Sequence, residues 1–297
     1  MTENNRATVV GLGEILWDVF PDGPRFGGAP ANFACTAAGV GGAAVHVAMV
    51  SGVGNDDLGR DALRELREHG VDTAHVAVRQ QPTGQVLVTL DSEGRASYEF
   101  APDAAWDNLD WNPGLATLAA QADAVCFGTL GQRSAASRDT IQQFVAATPT
   151  TTLRVFDVNV RQPFVNEQVV LDSLKLANVL KLNDDELPLL AGWAGLQGSN
   201  VELLQQLAEK FSLRVVALTR GGAGAMLIAG DDVDEFGGMK TQVVDTVGAG
   251  DAFTAALTLG LLNGEELADI NRAACELAAY VCSQPGATPA IPPWMAR

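Results

Sequence analysis

The chain has 297 residues, 47% of them hydrophobic, with 36 acidic side chains against 19 basic ones and a formal net charge of −17. That length allows a large core, whereas the acidity and the lack of a basic cluster argue against DNA, RNA or an anionic membrane as partners. Three His and four Cys, with no C-x-x-C pair, leave little material for a His-rich metal site, a Ser-His-Asp hydrolase or a disulfide framework.

In chain order, Ala7–Leu12 reads as a buried strand, and Gly13 to Asp18 leads out of it with Asp18 close to the turn Pro21-Asp22-Gly23-Pro24. Asp18 suits a polyol, because a carboxylate accepts paired hydrogen bonds from neighbouring hydroxyls; it also suits the start of that turn. Gly27-Gly28-Ala29-Pro30-Ala31-Asn32 joins a diglycine turn to a Pro at a helix start, with Asn32 set among apolar residues. The glycines at 52, 54 and 59 are spaced too widely for a dinucleotide fingerprint and read as a structural turn.

Strands are expected at 45–50, 124–127, 153–158 and 215–218, alternating with helices at 61–68, 138–147, 201–211 and 266–281. The alternation predicts a mainly parallel sheet covered by helices. One region breaks it: 85–90, a turn at Asp91–Arg95 and 96–100 read as a hairpin that forms a small sheet with 19–26, and its Tyr98 or Phe100 faces either a ligand or the core.

Polar residues gather after the strands. Asp157-Val158-Asn159-Val160-Arg161 follows an apolar run, and ligands of open α/β sheets collect at such ends. Arg161 offers planar donors for phosphate or sugar oxygens, or a partner for a nearby acid. Asn183 and Glu186 flank an acidic helix start whose Asp184 and Asp185 read as solvated, and Thr219-x-Gly221-x-x-Gly224 forms a hairpin turn able to border a nucleotide. At Asp245–Phe253, the small residues Gly248, Ala249 and Gly250 leave backbone N–H groups open to an anion where a helix begins. Asp251 would be repelled by a bound phosphate unless it faces a substrate hydroxyl and takes its proton, which is a general-base geometry.

Asp245-Thr246-Val247-Gly248-Ala249-Gly250-Asp251-Ala252-Phe253 closely resembles the signature D-T-x-G-A-G-D-x-F of the ribokinase-like sugar kinases, the PfkB carbohydrate kinase family. Gly-Gly-Ala-Pro-Ala-Asn at 27–32 resembles that family's N-terminal signature in its fructokinase form, and the resemblance runs from Gly11 to Pro292. It implies an α/β, three-layer ribokinase-like sandwich over 1–297 as a single domain, with a β lid from about 14–28 and 83–103 that closes over the sugar and also joins a homodimer. It implies Asp251 as catalytic base, with the amides of Gly248, Ala249, Gly250 and Asp251 as anion hole, and Asp18, Gly27, Gly28, Asn32 and Arg161 on the sugar. Asn183, Thr219, Gly221 and Gly224 would border ATP. Glu186 would act on Mg2+ indirectly, and Asp245 with the Val247 carbonyl would hold K+, although Ala290 stands where some relatives carry Ser.

Fructose is the first substrate expected, from these motifs and Phe127–Arg133; 2-keto-3-deoxygluconate is the alternative, its carboxylate meeting Arg133 or Arg161. A catalytically silent sugar-binding protein of the same fold is the competing class. With no apolar run fit to span a bilayer and no secretion signal in Met1–Ala7, a cytoplasmic place is expected.

Overall fold

The computed structural model describes residues 6–90, 96–164 and 166–296. The expected hairpin tip at Asp91–Arg95 and most of Met1–Ala7 lie outside them. In chain order the elements are β1 (Ala7–Leu12), β2 (Leu16–Phe20), β3 (Gly23–Gly27), α1 (Ala29–Gly41), β4 (Val45–Gly54), α2 (Asp57–Glu68), β5 (Val76–Arg79), β6 (Gly84–Leu90) and β7 (Ala96–Phe100). There follow α3 (Pro113–Gln121), β8 (Ala124–Phe127), α4 (Ala135–Ala147), β9 (Leu153–Asp157), α5 (Glu167–Leu176), β10 (Val179–Asn183), α6 (Glu186–Ala194) and α7 (Asn200–Phe211). The chain closes with β11 (Val215–Thr219), β12 (Ala225–Ala229), β13 (Asp232–Phe236), α8 (Ala249–Asn263) and α9 (Leu267–Cys282).

Two sheets result. Among the described residues the larger has nine strands in the order β13-β12-β11-β10-β9-β8-β1-β4-β5, all running in one direction except β12, which is antiparallel to both its neighbours. The smaller has four strands in the order β3-β2-β6-β7. Its β6 and β7 are the expected hairpin arms, antiparallel with Val86 opposite Phe100.

The nearly unbroken apolar strands follow from burial on both sides. Successive side chains of a strand point to opposite faces, so Val9, Val47, Met49, Val155, Val179 and Ala217 pack with α1, α2, α8 and α9. Their neighbours Val10, Ala48, Val50, Phe156, Leu180 and Leu218 pack with α3 to α7. The pleat thus assigns each strand residue to one of two helical layers, and any polar residue in a strand inherits its layer from its neighbours.

The widely spaced glycines are structural, but only the link between Gly54 and Asp57 is a turn: Gly52 and Gly54 end β4, and Gly59 lies in the first turn of α2. A Cβ on Gly52 would lie 2.5 Å from the Ala105 carbonyl oxygen. Asp56 caps α2 through Gly59 N at 2.7 Å and also accepts from Thr83 N at 2.9 Å, which anchors the base of the small sheet. The four cysteines are free thiols, and among the described residues no helix is long and apolar enough to cross a membrane.

Candidate active site

Two helix starts build the centre of the site, and both need glycine. Gly248 precedes α8 with φ 80°, where a Cβ would lie 2.3 Å from the Ala287 carbonyl oxygen. Gly28 precedes α1 with φ 108°, where a Cβ would lie 2.6 Å from the Glu14 carbonyl oxygen. Only a residue without a side chain tolerates both the positive φ and the close approach. With α1 packed on α8, the Asn32 side chain donates from Nδ2 to Asp251 Oδ2 at 2.8 Å across 219 positions of sequence. The two motifs therefore meet at a single hydrogen bond.

The strands contribute a buried ion pair. Asp157 and Lys181 are register partners on β9 and β10, and both continue the face that packs on α8. Lys181 Nζ donates to Asp157 Oδ1 at 2.9 Å, and the other carboxylate oxygen accepts from Thr254 Oγ1 at 2.7 Å, one helical turn beyond Asp251. These side chains are only 7% and 6% exposed. The ammonium sits beneath the glycine turn, 3.1 Å from where a Cβ on Gly250 would be. Burial alone would favour neutral Lys181, but the carboxylates of Asp157, Glu186 and Asp251 outweigh it and raise its pKa, so it stays charged.

Asp251 is partly buried. Its pKa is pushed up to about 6, first by burial and then by the Asp157 carboxylate, while Asn32, Lys181 and Arg161 pull it partway back. It is ionised at neutral pH yet more basic than an ordinary aspartate.

Asp18, on β2 opposite Arg25, is half-buried, and a Cβ on Gly27 would come within 3.1 Å of its Oδ2. Burial raises the Asp18 pKa, opposed by Arg161 and Arg25. Arg161 is exposed and pairs with no carboxylate among the described residues; its charge acts on Asp18 and Asp251 together. Asn32 is thus bonded to Asp251, Gly27 lies against Asp18, Gly28 precedes the helix that carries Asn32, and the Arg161 charge acts on both acids.

Farther along the sheet edge, Asn183 Oδ1 accepts from Glu186 N at 2.9 Å, while the Glu186 carboxylate accepts from Asn183 N and Val160 N, each at 2.8 Å. Glu186 therefore ties the ends of β9 and β10 together, and burial raises its pKa against the pull of Lys181. Thr219 ends β11, and Gly221 and Gly224 adopt positive φ in the turn to β12. Asp184 and Asp185 are exposed, as expected. Asp245 accepts from Val247 N at 3.0 Å and Gly286 N at 3.3 Å, joining the loop before α8 to the C-terminal segment.

One expectation is corrected. Arg133 does not face a ligand: it is 7% exposed, bound to Asp107 through Nε at 2.8 Å and NH2 at 2.6 Å, and lies over the Trp106 and Phe164 rings. A buried guanidinium requires such a partner, and Arg133 commits Nε and NH2 to Asp107 and to the Ala101 carbonyl oxygen just beyond β7. Of the two hairpin aromatics, Phe100 packs edge-on to Phe164 with ring centres 5.4 Å apart, while Tyr98 is 61% exposed. Lys181 and Thr254 went unread in the sequence, and Glu14 was given no role of its own. The available signal for Lys181 was one lysine inside the apolar run Val179-Leu180-Lys181-Leu182.

Comparison with known proteins puts this arrangement among the carbohydrate kinases. The chain belongs to the pfkB family of carbohydrate kinases, whose model it matches over residues 23–294. A sugar kinase of Pyrococcus horikoshii is 30% identical over 270 residues, 88% of this chain and 82% of its own length. The crystal structure of that kinase matches with a TM-score of 0.81 at 27% identity, covering 95% of this chain and 94% of the other. The Escherichia coli fructokinase is 29% identical over 273 residues, 84% of this chain and 83% of its own length. A Vibrio cholerae fructokinase, in its fructose, ADP and calcium-bound form, shares the fold with a TM-score of 0.81 at 24% identity over 97% of each chain.

Proposed function

We propose that this sugar kinase transfers the γ-phosphoryl group of ATP to a primary hydroxyl of a small sugar, with fructose as its first substrate. The observation that carries the reading is the 2.8 Å contact from Asn32 Nδ2 to Asp251 Oδ2, which sets a polyol-type donor against a basic carboxylate at an open glycine turn. Asp18, Gly27, Gly28 and Asn32 orient the sugar. Asp251 takes the proton of the attacking hydroxyl. The amides of Gly248, Ala249, Gly250 and Asp251, backed by Lys181, carry the charge of the phosphoryl group in transit. ATP lies along Asn183, Thr219, Gly221 and Gly224.

Support for ATP and fructose comes from relatives: the Pyrococcus horikoshii sugar kinase has been crystallised with ATP, and the Vibrio cholerae fructokinase with fructose and ADP. Mg2+ would enter this site as a companion of the nucleotide, keeping several of its own waters, and Glu186 would meet it through one of them. When bound, it would offset phosphate charge. K+ at Asp245 and the Val247 carbonyl would use the lone pairs left after the two backbone contacts of Asp245. The small sheet acts as a lid that keeps water from the phosphoryl group, and its exposed Leu87 offers an apolar contact for a second copy. Free thiols favour a reducing, cytoplasmic setting.

Arg161, exposed and unpaired with any described carboxylate, favours a second substrate reading, an acidic keto-sugar such as 2-keto-3-deoxygluconate. ADP release with fructose, 2-keto-3-deoxygluconate, ribose, glucose and adenosine, in wild type and Asp251→Asn, decides among these. Sugar-dependent turnover lost in the variant supports the kinase and ranks its substrates. Binding of sugar or nucleotide without turnover assigns a silent protein instead.

A further inference from the structure

The mechanism above leaves one buried acid without a task. Glu14 follows β1, is 3% exposed, and its Oε2 is wholly buried without a hydrogen-bond partner among the described residues. That oxygen is 3.2 Å from where a Cβ on Gly131 would sit, wedged between the end of β1 and the turn after β8. Glu14 also lines a void of about 10 Å³ with Cys126, Asp157 and Asn159, room for one water at most. An ionised carboxylate with an unpartnered oxygen in such a place costs far more than the neutral acid.

The surrounding charges point the same way. Asp251 on α8 repels a charge on Glu14, and Asp157 on β9 lines the same void; Cys126 on β8 is a thiol that burial keeps neutral. Arg161 and the amides of Glu14 and Ala29 only partly oppose this, and the Glu14 pKa is raised to about 7, first by burial.

We propose that Glu14 is a positioning residue that works as a neutral carboxylic acid: while it keeps its proton, Asp251 carries the charge beside the glycine turn, and when Glu14 ionises phosphoryl transfer slows. No proton passes from Glu14 to substrate. The hydroxyl proton goes to Asp251, and the Glu14 proton leaves to solvent as pH rises. The proposal rests on the reading of Asp251 as the base.

The test is the pH profile of kcat/KM from pH 5.5 to 9.5 for wild type and Glu14→Gln. Wild type should fall by about fivefold or more on the alkaline side, because a second negative charge then stands beside Asp251. Glu14→Gln, which cannot ionise, should lack that limb whatever the height of its profile. A wild type with no alkaline limb, or a variant that keeps it, overturns the proposal. Carboxyl carbon NMR of glutamate-labelled wild type reads the same group without turnover, and so separates failure of this idea from failure of the kinase reading. It should show a glutamate titrating near neutral pH whose midpoint drops in Asp251→Asn, where the neighbouring charge is gone; a spectrum without such a glutamate also overturns the proposal.

Discussion

Replacing the proposed base should make the protein sturdier while it disables it. The Asp251 pKa stands at about 6 against an ordinary 3.8. At about 1.4 kcal/mol for each tenfold change in proton affinity, that displacement corresponds to about 3 kcal/mol, which partial exposure trims to about 1–3 kcal/mol. The folded chain holds the proton more tightly than the unfolded chain. Below about pH 4 both forms are protonated and the group costs nothing; between about pH 4 and 6 stability falls as pH rises; at pH 7 the full cost is present. Asp251→Asn removes the buried charge, and the introduced amide oxygen can still accept from Asn32 Nδ2. The variant should therefore melt higher at pH 7, by about 2 °C or more for each kcal/mol, and the gap should close by pH 4. ADP release should drop about a hundred- to ten-thousandfold. Melting curves from pH 4 to 8 and steady-state kinetics at pH 7.5 check both, with the exposed Asp184→Asn as control. A variant less stable than wild type at pH 7, or a gap that ignores pH, refutes the argument.

Lys181→Met leaves Asp157 charged, buried and without its cation, so urea unfolding should show a loss of about 3 kcal/mol or more, and turnover should fall at least about tenfold as the glycine turn loses its supporting charge. Gly248→Ala forces a methyl to within 2.3 Å of the Ala287 carbonyl oxygen at φ 80°; it should cost about 1–3 kcal/mol in thermal unfolding and weaken ATP turnover together. Arg133→Met strands Asp107 and should destabilise by about 3 kcal/mol, yet leave the ranking of sugars unchanged in the substrate panel, because Arg133 reaches no substrate.

Much of the fold was legible because its strands are short, apolar and bounded by turns. Ala124–Phe127 appears as expected, and α8 begins at the glycine turn that its signature marks. α2 starts at Asp57 and α4 at Ala135, both earlier than expected, because Asp56 and Ser134 cap turns that carry few apolar residues. α3 and α5 were missed although Asn112, followed by a Pro, and Asn166 cap them; nine- and ten-residue helices offer little periodicity to read. β13, with the half-exposed sequence DVDEF, lacks an apolar run. In the site, the motifs located Asp251, Gly28 and Asn32, but nothing local announces that Asn32 and Asp251 touch. Lys181 is recognisable only once β10 is paired with β9 and Asp157 falls opposite it. Glu14 was passed over because its isolation is a property of packing, invisible in a Gly-Glu dipeptide.

The two helical layers have unequal duties. Asn32, Asp251 and Thr254 project from α1 and α8, and Asp157 and Lys181 from the strand face turned toward them. Helices α3, α4, α5 and α7, on the far side of the sheet, supply none of these groups. A laboratory evolution campaign can treat that far layer as a reservoir: repacked for heat resistance or recoded for expression, it should yield sturdier parents whose chemistry is inherited intact, while libraries aimed at a new sugar need sample only the near side.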